Sequence, residues 1–165
     1  MSFRFHRILC STPPPLEAER LVFEAAIGRF NEEVCMAEGA LFAAASFLPP
    51  FDAARRRPAV EANIRHCQFF VQLLDEQPPE EVFRGFIDYA IQQASDPAAE
   101  TAKAGVLFRV SGPVSQEARD YRDALAAGGR CEVGEFGDEA ELAGMIRSLL
   151  EKWYEPLRTK PDTVA

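Results

Sequence analysis

The chain has 165 residues, 47% of them hydrophobic, and this size predicts one domain built around one core. Its formal net charge of −8 disfavours nucleic acid and anionic membranes as partners, because both bind to a concentrated positive surface. No apolar run reaches the length that crosses a bilayer, and no apolar segment follows the basic N-terminus as in a signal peptide. The cysteines are scattered and lie beside apolar residues, which is typical of free thiols in the reducing cytoplasm: Cys10, Cys35, Cys67 and Cys131.

A strand over residues 3–10 opens the chain and stops at Ser11, Thr12 and a run of prolines. Pro15 suits the first position of a helix, where its missing N–H would have no partner, and apolar residues then recur at helical spacing. We therefore predict a first helix over residues 16–36. The later predicted elements are, in order, a strand over 40–47, a helix from 58, a strand over 68–74, a helix ending near 95, a strand over 105–110, a helix over 115–127, a strand over 131–136 and a helix ending near 154.

The alternation of strands and helices predicts an α/β fold, since a strand–helix–strand unit returns to a parallel strand. We expect a three-layer α/β/α sandwich of the flavodoxin-like kind, with a five-stranded parallel sheet in the order 2-1-3-4-5. Residues 1–155 would form the single domain, and residues 156–165 a flexible C-terminal tail. Trp153 and Tyr154 are expected to anchor the last helix on the sheet.

This strand order puts a switch point between the first and third strands, and open α/β sheets bind ligands there, beyond the carboxyl ends of the strands. Three loops would meet at that point, over residues 11–15, 75–81 and 111–115. Their polar side chains form a candidate cleft that rests on fold geometry alone. These side chains are the hydroxyls of Ser11, Thr12, Ser111 and Ser115 and the carboxylates of Asp75, Glu76, Glu80 and Glu81.

Several familiar chemistries do not fit this candidate cleft. A phosphate cradle needs successive backbone N–H groups, and the prolines over residues 13–15 remove them. A cysteine phosphatase needs an arginine six positions after its nucleophile, whereas Cys10 is followed at that spacing by Leu16. A serine hydrolase needs a base, and neither His6 nor His66 is predicted to lie in the cleft. These two histidines and the lack of a CxxC pair predict no metal site, and no motif indicates a cofactor.

Four short stretches carry a resemblance to a known group. Residues 10–12 (Cys-Ser-Thr) and 16–20 (Leu-Glu-Ala-Glu-Arg) match a strand ending in Ser-Ser-Thr and a helix opening with Asp-Leu-x-x-Glu-Arg, with Pro15 in place of the aspartate. Residues 64–74 and 88–90 are similar to a helix leading into a buried strand and to a Tyr-Ala pair in the next helix. The chain thus resembles the TIR-like superfamily, and within it an uncharacterised bacterial group often found as an N-terminal module.

The resemblance implies a TIR-like sandwich, and relatives in the wider superfamily cleave N-glycosidic bonds in NAD or in deoxynucleosides. Such enzymes use a glutamate near the start of a helix to stabilise the positively charged sugar, and an apolar or aromatic wall can stack on the base. Together with the loop positions, these roles give the catalytic candidates Glu81 and Glu80 and the ligand-binding candidates Ser11, Thr12, Asp75, Ser111 and Tyr89, with Phe47 and Phe51 as further wall residues.

The sequence also departs from this group at decisive positions. Where relatives carry Thr-Glu-x-Glu-Tyr before the Tyr-Ala pair, residues 83–87 read Phe-Arg-Gly-Phe-Ile, and residues 75–79 replace a glycine-rich stretch. Two hypotheses therefore stay open. The first is a TIR-like module that binds a nucleotide or nucleoside, a protein partner or another copy of itself without turnover, with Glu80 and Glu81 as acids that favour the helix dipole. The second is an N-glycosidic-bond-cleaving enzyme, either an NAD hydrolase or a nucleoside deoxyribosyltransferase-like protein.

Overall fold

Strands and helices alternate along residues 2–158, the part of the chain that the computed structural model describes. They are β1 (Arg4–Ser11), α1 (Glu17–Phe30), β2 (Ala40–Ser46), α2 (Arg57–Arg65), β3 (Phe69–Leu74), α3 (Glu81–Ala94), β4 (Lys103–Arg109), α4 (Gln116–Gly128), β5 (Glu132–Phe136) and α5 (Glu139–Tyr154). The strands form one parallel sheet in the order β2-β1-β3-β4-β5. Helices α1 and α5 pack on one face, and α2, α3 and α4 on the other. The predicted three-layer α/β sandwich and its strand order are confirmed.

Strand β3 is the centre of the core, and all six of its residues are buried. Its side chains alternate between the two faces of the sheet. Val71 and Leu73 pack with the α1 and α5 side chains, whereas Phe70 and Leu74 pack with those of α2 and α3. A strand covered on both faces has no solvent-facing side chain, which explains the apolar run that only Gln72 interrupts.

Aromatic side chains anchor the end of α5 on the sheet. Trp153 stacks on Phe69 with ring centroids 5.2 Å apart and an interplanar angle of 11°. Gly105 in β4 leaves room for the indole, because a Cβ there would lie 3.3 Å from the Cη2 atom of Trp153. Tyr154 meets Phe42 edge-on, with ring centroids 5.9 Å apart. The predicted anchoring role of both α5 residues is confirmed.

The first helix, predicted over residues 16–36, is α-helical only as far as Phe30. After α1 the backbone forms a π-helical turn over Asn31–Cys35 and a 3-10 turn over Met36–Glu38, and Gly39 ends the segment at a φ of 67°. The Asn31 side chain reaches β2, where its Nδ2 donates to the Phe42 oxygen at 2.9 Å and its Oδ1 accepts from the Phe42 N–H at 2.8 Å. Asn31 therefore pairs with one residue of the outer strand β2 in the way that a residue of a further strand would.

Removing this pairing has a measurable cost. We expect Asn31→Ala to lower the free energy of unfolding by about 1 kcal/mol, because both Phe42 backbone groups lose their partner. Urea denaturation measures the loss. Asn63→Ala is the matched control, since the exposed Asn63 side chain makes a single hydrogen bond within α2, to the Ala59 oxygen at 2.7 Å. Equal losses for the two variants would contradict the role given to Asn31.

The chain after α5 begins with a 3-10 turn over Glu155–Leu157. Arg4 Nη1 donates to the Leu157 oxygen at 3.0 Å, so this turn is tied to the start of β1. Residues 159–165 of the predicted tail lie outside the described residues. Among the helices of residues 2–158, none combines the length and the apolar composition that a membrane span requires. The four cysteines are free thiols as predicted, three of them buried and Cys131 half-buried.

Candidate functional site

An arginine at the end of β4 ties together the segments at the carboxyl ends of the strands. Arg109 Nη1 donates to Glu19 Oε1 in the first turn of α1 at 2.9 Å, and its Nε donates to Glu76 Oε1 after β3 at 3.1 Å. Ser111 also donates to Glu76 Oε1, through its backbone N–H at 3.1 Å and its hydroxyl at 2.8 Å. We call these four residues the ionic cluster. Segments that follow three different strands therefore meet here, as the strand order requires.

Glu76 is held as a carboxylate within the ionic cluster. Burial alone would raise its pKa, but hydrogen bonds from Arg109 and Ser111 outweigh burial and lower the pKa to about 2. The Glu76 side chain is 12% exposed and that of Arg109 is 24% exposed, so water screens this pair little. At neutral pH Glu76 is charged and already engaged, which makes it a structural partner rather than a proton donor.

The catalytic candidates Glu80 and Glu81 lie at the start of α3. Glu80 occupies the capping position, Glu81 is the first helical residue, and both are exposed. Neither side chain makes a hydrogen bond or an ion pair with another side chain within residues 2–158. Their charges favour the positive end of the helix dipole. A catalytic role for either residue stays a prediction, and neither belongs to the ionic cluster.

The candidate ligand-binding residues lie in different environments. Ser11 is the buried last residue of β1, and its carbonyl oxygen accepts from Gln72 Nε2 at 3.0 Å. Asp75 is half-buried and closes a turn by accepting from a backbone N–H two residues on at 3.0 Å. Tyr89 accepts from Arg65 Nε at 3.1 Å, beside the end of α2 that leads into the start of β3. Tyr89 therefore lies toward the amino ends of the strands, whereas the other candidates lie at the carboxyl ends.

A pocket of about 330 Å³ opens at the carboxyl edge, between the segments that follow β1 and β2. Phe47 and Phe51 stack in its wall with ring centroids 4.9 Å apart and an interplanar angle of 7°. The guanidinium carbon of Arg56 lies 5.1 Å from the Phe47 centroid, a cation–π distance. We call this cavity the carboxyl-edge pocket. Its lining residues are Thr12, Pro14, Glu17, Phe47, Pro49, Pro50, Phe51 and Asp52.

The charged residues that line the carboxyl-edge pocket are acidic. Glu17 and Asp52 line it, and among residues 2–158 no lysine or arginine does. A hydrogen bond from Arg20 lowers the pKa of Glu17, with Arg20 Nε 2.8 Å from Glu17 Oε1. Asp52 Oδ1 accepts from the Arg55 N–H at 3.1 Å. Two carboxylates without a cation in the lining disfavour an anionic ligand.

These features define a parallel α/β sandwich with an ionic cluster and an apolar, acid-rimmed pocket at the carboxyl edge of its sheet. No protein-family model and no curated protein matches this chain. The TIR-like relationship therefore remains a prediction from short motifs.

Glu76 and Ser111 were predicted as side chains of the cleft, whereas Arg109, which joins Glu76 to Glu19, was not predicted. Arg109 and Glu19 are 90 positions apart, and Arg109 and Glu76 are 33 apart, so no local pattern links them. One signal was present: Arg109 is a charged residue directly after the apolar run over residues 104–108, and a partly buried charge at such a position needs a partner. Glu17 stood within a recognised motif, but only the fold shows that it lines the pocket.

Proposed function

We propose that this protein is a ligand-binding module that holds a planar, uncharged group, such as the base of a nucleoside, in the carboxyl-edge pocket without turnover. The pocket itself carries this proposal. Its volume of about 330 Å³ lies within the range of small-molecule sites, and its wall is mostly apolar and aromatic. Thr12 adds a hydroxyl that can donate and accept, which suits the polar edge of a base or a ribose.

The charge of the pocket favours a nucleoside over a nucleotide. Glu17 and Asp52 would repel a phosphate group. The prolines over residues 13–15 offer no backbone N–H to a phosphate, although they begin the segment that follows β1. An uncharged ligand is not repelled by these carboxylates and does not need those N–H donors.

Binding without turnover is proposed because Glu76, Glu80 and Glu81 do not line the carboxyl-edge pocket. Glu76 is engaged by Arg109 and Ser111 and does not line the pocket. Glu80 and Glu81 are exposed at the start of α3 and do not line it either. None of the three is therefore positioned to act on a ligand held in the carboxyl-edge pocket.

An N-glycosidic-bond-cleaving enzyme is the alternative, and one observation favours it. Glu17 lines the carboxyl-edge pocket from the first turn of α1, and the hydrogen bond from Arg20 lowers its pKa. It is therefore a carboxylate at neutral pH. A carboxylate beside a bound ribose would stabilise the positive charge that develops on the sugar as the base leaves. In this alternative Glu17 has the role that the sequence suggested for Glu80 or Glu81.

Titration calorimetry with adenosine, guanosine, cytidine and thymidine tests the proposal. We expect saturable binding of at least one nucleoside and weaker binding of its monophosphate. Phe51→Ala is expected to weaken binding about tenfold, because stacking on an aromatic side chain contributes about 1–3 kcal/mol per base. Phe5→Ala is the matched control, since Phe5 is 61% exposed and does not line the pocket.

Chromatography of the same mixtures, with NAD added to the panel, separates the two functions. If the wild-type protein releases free base or nicotinamide and Glu17→Gln does not, the protein is a glycosidase and not a binding module. If Glu80→Gln or Glu81→Gln abolishes the release of base instead, the catalytic carboxylate is the one that the sequence suggested. If no nucleoside binds and no base is released, both functions are excluded for this pocket.

A further inference from the structure

One buried arginine joins the start of α1 to the last residue of β2. Arg20 Nε donates to Glu17 Oε1 at 2.8 Å, and Arg20 Nη1 donates to Glu24 Oε1 at 2.8 Å. The same Nη1 also donates to Ser46 Oγ at 3.2 Å, and the Ser46 hydroxyl in turn donates to Glu24 Oε1. The Arg20 side chain is 6% exposed, so these contacts lie beneath the surface. We call these four residues the Arg20 network.

The Arg20 network reaches both walls of the carboxyl-edge pocket. Glu17 lines the pocket from α1. Ser46 ends β2 and is followed directly by Phe47, which belongs to the aromatic wall. Arg20 itself does not line the pocket. Any effect of Arg20 on a bound ligand must therefore act through the residues that it holds.

The guanidinium group suits this linking role because its N–H donors project in fixed directions from one plane. Both Nε and Nη2 of Arg20 contact Glu17, while Nη1 is shared by Glu24 and Ser46. Within residues 2–158, no side-chain hydrogen bond other than those of Ser46 to Arg20 and Glu24 joins α1 to β2. Losing this link would therefore free the end of β2 from α1.

We propose that Arg20 is a positioning residue that holds the aromatic wall of the carboxyl-edge pocket at a fixed distance from α1. Without the Arg20 network, the segment that follows β2 moves away from α1 more often, and the pocket widens. The expected effect on nucleoside binding rests on the proposed function, whereas the expected effect on the wall does not.

The chain carries its own probe for movement of this wall. Arg55 and Arg56 lie in the exposed turn that follows Phe51, and trypsin cleaves after arginine. Cleavage of a folded protein requires local opening, so its rate follows the population of the open state. We expect Arg20→Met to speed cleavage at Arg55 and Arg56 about tenfold, because hydrogen bonds to charged groups are lost.

An internal reference separates this local opening from a general loss of stability. Arg147 lies in the middle of α5, and cleavage there requires α5 to unfold. We expect its cleavage rate to stay at the wild-type value in Arg20→Met. The chain is expected to fold, because Glu17 and Glu24 are 42% and 40% exposed and water can solvate them once Arg20 is gone.

Two further variants test whether the link, rather than the charge, holds the wall. Arg20→Lys keeps the charge but offers a single nitrogen, so we expect it to speed cleavage as Arg20→Met does. Ser46→Ala is a mild change that removes the β2 end of the link, and we expect a smaller increase in cleavage. Combining Ser46→Ala with Arg20→Met should add little, because both changes break the same link.

Arg122→Met is the matched control. Arg122 is 20% exposed and also contacts two acids, Asp123 on its own helix α4 and Glu135 on β5, but it lies away from the carboxyl-edge pocket. We expect wild-type cleavage at Arg55 in this variant. In calorimetry with the nucleoside that the wild-type protein binds best, Arg20→Met should bind about tenfold more weakly, as for the loss of one stacking contact, and Arg122→Met should be unchanged.

Four results would overturn the positioning role: wild-type cleavage at Arg55 in Arg20→Met, equal acceleration at Arg147, wild-type cleavage in Arg20→Lys, or fully additive effects of Arg20→Met and Ser46→Ala. The proposed function fails separately. If the wild-type protein binds no nucleoside, the cleavage rates alone decide the role of Arg20. Faster cleavage with unchanged nucleoside affinity would support the positioning role and exclude the carboxyl-edge pocket as the nucleoside site.

Discussion

Replacing Arg109 with methionine is expected to lower the free energy of unfolding by about 3 kcal/mol, as seen when one partner of a largely buried ion pair is removed. The change leaves Glu19 and Glu76, whose side chains are 11% and 12% exposed, without the cation they share. Methionine keeps much of the apolar stem of arginine, so the loss reports the charge rather than packing. Urea denaturation near neutral pH measures it.

Arg147→Met is the matched control for this change. Arg147 also contacts two glutamates, Glu33 and Glu151, but its side chain is 39% exposed and theirs are 49% and 58% exposed. Exposed pairs of this kind contribute at most about 1 kcal/mol. Adding Glu76→Gln to Arg109→Met should recover part of the loss, because it removes one of the two unpaired charges. Equal losses for Arg109→Met and Arg147→Met would show that the ionic cluster does not stabilise the fold.

Acid is expected to remove the contribution of Glu76 to stability. Its pKa in the folded chain is about 2, below the ordinary glutamate value, so this contribution is present above about pH 5 and is lost as the pH falls toward 2. Since one pKa unit corresponds to about 1.4 kcal/mol, the full contribution is about 3 kcal/mol. Other carboxylates titrate over the same range, so the informative quantity is the difference between wild type and Glu76→Gln.

Unfolding free energies of both proteins from about pH 6 to about pH 2 give this difference. We expect a gap of about 3 kcal/mol at the upper end that closes as the pH falls, because protonated Glu76 resembles glutamine. Glu117→Gln is the control: its side chain is 69% exposed in a surface pair with Arg84, and its gap to wild type should stay small throughout. A gap that does not change with pH would contradict the assigned role of Glu76.

The fold was predictable because the strands carry strong local signals. The apolar run of β3 predicts a central strand, and Gly39 and Pro49 delimit β2 even though its alanines favour a helix. The end of α1 was not predictable in this way. The residues after Phe30 continue a helical pattern, and the side-chain bonds of Asn31 at the turn go to Phe42, 11 positions later, so no local pattern indicates them.

The position of the candidate site was predictable from the sequence, but the acidic residue that lines its pocket was not. Strand order alone placed Ser11, Thr12 and Ser111 at the carboxyl edge, where the structure has them. Which acid faces a pocket depends on side-chain geometry that spacing does not encode. Glu81 fits the expected role by position in a helix, but Glu17 is the glutamate that lines the cavity.

The bonds between Asn31 and Phe42 affect how the outer strand β2 can pair with another molecule. Head-to-tail joining of β5 in one molecule to β2 in the next would propagate without closing, which is the geometry of a fibre. Asn31 occupies the N–H and C=O groups of Phe42, one of the β2 residues that such growth would need. Because these two Phe42 groups are already bonded to Asn31, they are not open to a strand added at β2, which disfavours that growth. Asn31→Ala would remove this obstacle as well as a pair of hydrogen bonds, so turbidity over time would separate its effect on polymerisation from its effect on stability.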